Sequence, residues 1–306
     1  MKRNIYSYSK LWMIFFVLMG AACTNQVEDA IPVSGQPIEF SVQSDWKEIP
    51  NTRLNEGIKK FKAGDKIQIF GFHKSSSGVE MKFMYRVGEP ARGQIVTFDG
   101  TNWNYSPKRF WPKEGTLDFY ASYPDYSVLN EGDKMTYVQP DFNPLGVDLL
   151  WGLATNRDCA TACKETVQIW MVHALARVNI FFDSSLGDIK QAKVSAYKAG
   201  DFSNAADNGV PLWNVDKTSD KNIQEATISP YENQQTIGDA TVFILPDKIT
   251  GLKLTPLAGK EIDVSYKIQN LTFEAGKEYN LTISKGVQKK NTNSRSIAMS
   301  VRCVSE

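Results

Sequence analysis

From residue 37 onward, apolar and polar residues alternate in short runs, each ended by turn-forming residues. A period of two over four to eight residues is the mark of a strand with one buried face. Pro37 to Val42 (PIEFSV) sets Ile38, Phe40 and Val42 on one face, and Lys66 to Phe72 (KIQIFGF) sets Ile67 and Ile69 against Gln68 and Phe70. Further strands are predicted at 82–87, 95–98, 101–105 and 117–123, with Phe98-Asp99-Gly100-Thr101 as a hairpin turn in which glycine supplies the positive φ. The most apolar stretch beyond the N-terminus, Val167 to Phe182, reads as one long central strand or two. A short helix is expected around Pro144 to Leu153. Composition turns polar at Asp183 to Asp188, where the pattern places a domain boundary. Strands at 193–197, 226–229, 240–245, 252–256, 261–266 and 278–284 follow, with a loop-rich stretch over 198–222. No long amphipathic helix interrupts them, which points to an all-β chain of two antiparallel β-sandwich domains.

The N-terminus has a different character. Lys2, Arg3 and Lys10 precede an unbroken apolar run, Leu11 to Met19, and small residues lead to Cys23. That run is shorter than the roughly 20 residues a membrane-spanning helix needs, and it suits the core of a signal peptide. Gly20-Ala21-Ala22-Cys23 resembles the lipobox of a bacterial lipoprotein, with Gly20 where leucine is usual. The resemblance implies a signal peptide over 1–22 and a lipidated Cys23, palmitate included, that ties the chain to the outer membrane. An ordinary secretory signal is the alternative. The polar, acidic Thr24 to Asp29 is similar to the leader of surface-exposed lipoproteins of the Bacteroidetes.

Composition removes several kinds of function. With 35 Lys and Arg against 34 Asp and Glu, the formal net charge is +1, so no field draws nucleic acid. Only two histidines occur, His73 and His173, the second within an apolar strand where a buried, hydrogen-bonded histidine is expected rather than a base. No phosphate-binding glycine loop is present, and Asp118 and Asp148 are not spaced as a catalytic pair. No enzyme, cofactor or metal site is expected. Asp201 to Asp207 hints at a calcium loop without matching a calcium-binding spacing. Cys159 and Cys163 are a candidate short-loop disulfide for an exported protein, two free thiols being the alternative, and Cys303 stays unpaired.

Five segments in order resemble the fimbrillin superfamily of the Bacteroidetes, whose members build type V pili. They are Phe61 to Phe70 (FKAGDKIQIF), Asn104 to Pro124 (NYSPKRFWPKEGTLDFYASYP), Asp148 to Ala154 (DLLWGLA), Val172 to Val178 (VHALARV) and Ala275 to Ile283 (AGKEYNLTI). The resemblance implies transthyretin-like sandwiches, here over 54–184 and 185–285. It also implies assembly by strand exchange with other fimbrial subunits, adhesion and biofilm formation. The lipidated leader, 23–53, would carry a removable first strand at 37–42 with Ile38, Phe40 and Val42 pointing inward. Arg53 and Leu54 lie where the family's Arg- or Lys-directed cut would fall, a solvated loop being the alternative. At the other end, 286–306 supplies a polar linker and a strand in which Ile297, Met299 and Val301 repeat the same one-sided pattern. That strand is either a donor for another subunit or the last strand of the second sandwich. A different reading is a surface lipoprotein that never polymerises and binds a glycan, a host protein or a bacterial surface ligand through exposed aromatics such as Trp103, Trp111 or Trp213, with a core position the more natural one for Trp111.

Overall fold

The computed structural model describes residues 31–44, 61–132, 134–138, 148–203, 209–230, 233–285 and 299–305. Cys23, Arg53, Leu54 and Ile297 lie outside them, as does most of the span with calcium-loop character. The chain is all-β. In the first half the strands are β1 (Val33–Pro37), β2 (Phe40–Ser44), β3 (Lys66–Lys74), β4 (Glu80–Met84), β5 (Gln94–Phe98), β6 (Trp103–Asn104), β7 (Phe110–Pro112), β8 (Thr116–Tyr123), β9 (Val128–Glu131), β10 (Lys134–Val138), β11 (Leu150–Asp158) and β12 (Val167–His173). A single helical turn, α1 (Cys159–Ala162), joins β11 to β12 and is capped by the Asp158 carboxylate, which accepts from the amides of Ala160 and Thr161. The second half contributes β13 (Ala176–Phe182), β14 (Ile189–Tyr197), β15 (Ala199–Ser203), β16 (Trp213–Val215), β17 (Ile223–Ile228), β18 (Ala240–Ile244), β19 (Ile249–Pro256), β20 (Ile262–Asp263), α2 (Ser265–Ile268), β21 (Glu278–Lys285) and β22 (Met299–Ser305).

One large sheet dominates the first half, in the order β2-β12-β11-β8-β3-β5-β6, with β4 also on β3. The alternation read from the sequence sorts its two faces. Ile67, Ile69, Leu117, Phe119, Val167 and Ile169 enter one core, and Phe70, Phe72, Tyr120 and Trp151 enter another on the opposite face. The second of these cores is shared with the second half through Phe202, Phe243 and Leu245. A small sheet, β16-β15-β10-β9, draws strands from both halves. Further along, sheets β18-β13-β21-β22 and β17-β14-β19-β20 enclose a third, mostly aliphatic core, a sandwich in the ordinary sense.

Two expectations need correction. The helix around 144–153 is not formed at its described end, because Leu150 to Leu153 belong to β11, paired on both sides with β8 and β12. Gly152 marks a close approach there: a Cβ at that position would come within 2.7 Å of Ile169. The turn from the first body to the second falls at Ala174–Leu175 and not at 183–188. The apolar run over 167–182 is two strands, and β13 already pairs with β18 and β21 of the second sandwich. Polarity misled because Asp183 to Gly187 is only the exposed 3₁₀ turn after β13, with Asp183 capping it through the Ser185 amide.

The joint at Ala174–Leu175 is held by several bonds. The Ala174 amide donates to Leu149 O at 2.8 Å, its carbonyl accepts the Trp213 indole N–H at 2.7 Å, and Leu175 O accepts from the Gly276 amide at 2.9 Å. The 98–101 hairpin forms as read, with the Asp99 carboxylate accepting from the amides of Thr101 and Asn102 and Gly100 at φ 104°. Gly115 is a stricter requirement. It sits at φ 84°, and a Cβ would stand 2.4 Å from Lys74 O and 2.7 Å from His73 Nε2. Gly115→Ala should cost at least about 2 kcal/mol in a denaturant melt, since strain and a backbone clash add. A midpoint equal to wild type would refute that account.

Candidate functional site

The segment 32–44 crosses from one sheet edge to another. β1 pairs antiparallel with β7, setting Val33 opposite Pro112 and Pro37 opposite Phe110. β2 then pairs with β12, setting Phe40 beside Val167, Val42 beside Ile169 and Ser44 beside Met171. This second pairing is parallel, whereas every other strand of the large sheet is paired antiparallel. Between the two, the Ile38 amide donates to Arg109 O at 2.9 Å, and its carbonyl accepts the Tyr105 hydroxyl at 2.8 Å. Burial pushes the Tyr105 phenol up to about 12, so it stays a donor at any ordinary pH.

Side chains divide sharply along this segment. All five residues of β1 are exposed, so that strand is held by its backbone alone. Ile38, Phe40 and Val42 are buried, at 0%, 5% and 7% exposure. The Phe40 ring meets Phe119 edge-on at 5.3 Å and Tyr105 at 5.7 Å, both within the range of favourable aromatic pairs. Outside, Lys108 pairs with Glu39 at 3.0 Å and lies 4.7 Å over the Tyr105 ring. The segment thus fills three apolar slots whose floor is Trp111, Phe119, Val167 and Ile169, and it closes two sheet edges.

The tail has a defined place of its own. β22 pairs antiparallel with β21 of the same chain, with Met299 opposite Lys285 and Val301 opposite Ile283. It forms the outer strand of its sheet.

Other expected positions fall differently. Cys159 and Cys163 are free thiols, not a disulfide. They stand on one helical turn with the sulfurs on different carbonyls, Cys159 Sγ near Arg157 O and Cys163 Sγ near Ala160 O. Burial pushes the Cys159 thiol up to about 12. The aromatic platform is not made by the tryptophans named for it. Trp111 is a core residue as expected, Trp103 is one too, and Trp213 is half-buried with its N–H spent on the joint. Exposed aromatics are instead Phe110, Tyr126, Trp170 and Tyr266, on separate elements. Asp118 accepts the Asn156 amide at 2.5 Å, a structural role. No group of three or more metal-ligating side chains occurs among the described residues.

One buried polar pair escaped the sequence reading as a pair. His173 Nδ1 contacts the Asp148 carboxylate at the joint, both nearly inaccessible, and Arg177 follows with Glu278 at 3.7 Å. Strand register makes the pair: Leu150 lies opposite His173, which brings the residue two before Leu150 alongside. Burial raises the Asp148 carboxyl above its ordinary value of 3.8, while His173 and Arg177 pull it back. The native state therefore binds this proton more tightly than the unfolded chain. Its contribution to stability is complete below the unfolded value and is lost as pH rises through the native one. Relative to Asp148→Asn, wild type should lose urea resistance as pH rises above the ordinary carboxyl value. A difference that grows with pH would instead make the charged pair a net stabiliser.

Comparison with known proteins follows the same lines. A search of curated proteins finds no match to the sequence. A solved protein from Bacteroides uniformis ATCC 8492, named for a proposed role in cell adhesion, is similar at 17% identity and a TM-score of 0.54, over 89% of this chain and 98% of that one. Another from Bacteroides ovatus ATCC 8483, named likewise, has 13% identity and a TM-score of 0.50, over 88% and 95%. These likenesses show a shared fold across nearly the full length of each. The family described as fimbrillin-like matches residues 52–298, which hold the core of the second sandwich, the core shared between the halves and every strand of the large sheet but β2, and the chain belongs to that family.

Proposed function

We propose that this chain is a structural or accessory subunit of a cell-surface fimbria, delivered as an outer-membrane lipoprotein and assembled by strand exchange. Family membership supports a fimbrial role at the cell surface. The observation that carries the finer reading is the segment 32–44: its three buried side chains fill slots in a core that is otherwise built from residues beyond 60. Release of Cys23 to Arg53 would remove this segment together with the anchor, leaving the β7 and β12 edges unpaired. An incoming strand of another subunit would then restore both the ladder and the apolar contacts. The two sandwiches, meeting at Ala174–Leu175, would serve as the rigid body and 286–306 as the linker and exchanged strand. Adhesion and biofilm formation would follow from the fimbria as a whole.

A second reading is favoured by one observation. Because β22 pairs with β21 of its own chain, the tail can complete its own sandwich. A subunit at the base of a fimbria, or a surface lipoprotein that binds a glycan or host protein without polymerising, would look this way.

N-terminal sequencing and intact mass of the protein from its native surface test the choice. A chain beginning at Leu54 is the expected result for a polymerising subunit. A chain still beginning at acylated Cys23 would sink that reading in favour of the anchored one.

A further inference from the structure

We propose that a notch at the opposite edge of the large sheet from β2, beside β5, binds a neutral sugar residue of an oligosaccharide. The proposal is independent of whether the chain polymerises. β5 pairs with β3 along Gln94 to Thr97 on one side, but with β6 on the other only at Thr97 and Phe98. β6 stops at Asn104, and Pro107 just beyond it has no N–H with which to continue a ladder. Between β5 and the Tyr105 to Pro107 stretch opens a cavity of about 620 Å³, within the range of small-molecule sites.

Strand parity decides what β5 offers there. Phe98 bonds toward the β3 side, its amide donating to Asp65 O at 2.9 Å and its carbonyl accepting from the Gly64 amide at 2.8 Å. Alternate residues of an antiparallel ladder face the same neighbour, so Val96 and Gln94 turn that way and Ile95 turns its N–H and C=O outward. A longer β6 would set Ser106 opposite Ile95. Instead the Gln94 side chain takes the Ser106 carbonyl, its Nε2 donating at 2.8 Å. That bond fixes the carboxamide, since only its nitrogen can donate. Gln94 is 6% exposed and lines the cavity, and its Oε1 has no hydrogen-bond partner among the described residues. Gln68 on the adjacent strand differs, with Nε2 bonded to Ser122 and Val128 and Oε1 to the Gly93 amide. A buried acceptor without a donor is costly and rare. Solvent does not reach this one, so only a group that enters beside Gln94 can pair it.

The surroundings select the ligand. The free stretch is one rung wide, because beyond it the Gly93 amide is bonded to Gln68 and Arg92 O accepts from the Arg86 amide at 2.9 Å. An added peptide strand, which binds through a run of main-chain bonds, finds one residue to pair with. A single ring with hydroxyls on adjacent carbons needs no more than that: one hydroxyl donates to Gln94 Oε1 or Ile95 O, and another accepts from the Ile95 N–H. Arg86, the one charged residue of the described lining, is already engaged, donating to Asp125 O at 3.2 Å and lying 3.6 Å from Glu89, so an acidic ligand gains no unpaired cation. Val87 and Pro107 give the wall an apolar face suited to the C–H side of a sugar.

The full chain is tested on an array of neutral oligosaccharides printed beside sialylated and sulfated glycans and short peptides, and the tightest neutral sugar is then titrated by calorimetry. Two variants read the notch. Val87→Trp fills it from a residue that is 60% exposed, and Gln94→Met removes both amide atoms at similar volume. A third, Trp170→Ala, removes an exposed indole from β12 of the same sheet. Wild type should bind a neutral sugar, both notch variants should weaken that binding about tenfold or more, and Trp170→Ala should bind like wild type. Val87→Trp should also melt with wild type, which separates lost binding from lost fold. Selection of acidic glycans, of peptides or of nothing would overturn the proposal. So would full binding by Val87→Trp, with a loss in Trp170→Ala moving the site to the exposed sheet face. None of these outcomes bears on the N-terminal cut, so the fimbrial reading stands or falls separately.

Discussion

The uncut chain carrying Ile38→Asp with Phe40→Asp should melt where the cut wild-type chain melts. Each substitution removes a buried apolar side chain and asks for a desolvated charge in its place, at a combined cost of at least about 5 kcal/mol if the strand stayed docked. The strand need not stay. β1 contributes no buried side chain, and β2 is an edge held on one side only, so the penalty is capped by the free energy of docking 32–44. The variant therefore behaves as though its leader were absent, with residues 45–60 cleaved faster by protease. Once cut, the two proteins should be indistinguishable, including in their capacity to take up an added strand, because the altered residues leave. A variant that melts with uncut wild type would mean that the three slots contribute little and that the groove is not the site.

The mirror experiment changes the other end. Met299→Asp with Val301→Asp should abolish association of the cut chain while leaving most of its thermal stability. If the tail is the donor proposed above, Met299 enters the slot vacated by Phe40, where Tyr105 and Phe119 would surround a carboxylate with apolar groups. Residual stability follows from the position of β22 at the outside of its sheet: β21 remains paired with β13 through Arg177 to Phe182 without it. Light scattering or negative-stain microscopy of cut protein reads the first effect, and calorimetry the second. Normal filaments from this variant would remove the tail from consideration as donor.

How far the sequence could be read follows from what its patterns encode. Alternation located most strands, and placed Ile38, Phe40 and Val42 together on a buried face, because burial on one side of a sheet leaves a period of two. Direction leaves no such trace. Nothing in PIEFSV distinguishes a parallel from an antiparallel neighbour, so the pairing of β2 with β12 had to be seen. Nor does alternation distinguish a strand with both faces covered: Leu150 to Leu153 is apolar on both sides and by its pattern suits a helix equally well. The same ambiguity hides the boundary at Ala174–Leu175, where one apolar run passes from one core to the next and the polar residues beside the step, His173 and Arg177, are themselves buried. The tryptophans failed as a platform for a simple reason of area, since a large ring on an alternating strand is worth most in the core. Asp148 and His173 were each visible, but only the register of β11 on β12 makes them neighbours.

The bonded joint at Ala174–Leu175 has a mechanical meaning. β12 borders the groove in the first body, β13 leads the second, and β13 runs beside β21, which carries β22. In a filament joined through groove and tail, tension would pass from one subunit to the next along this single line of strands, through two residues. It would load the ladders along their length, so that many bonds must yield together and none can be peeled singly. The bonds from Leu149, Trp213 and Gly276 keep that short link from acting as a swivel. Bending would then have to come from the contacts between subunits, and a fibre of such units would be stiff within each repeat and compliant between repeats.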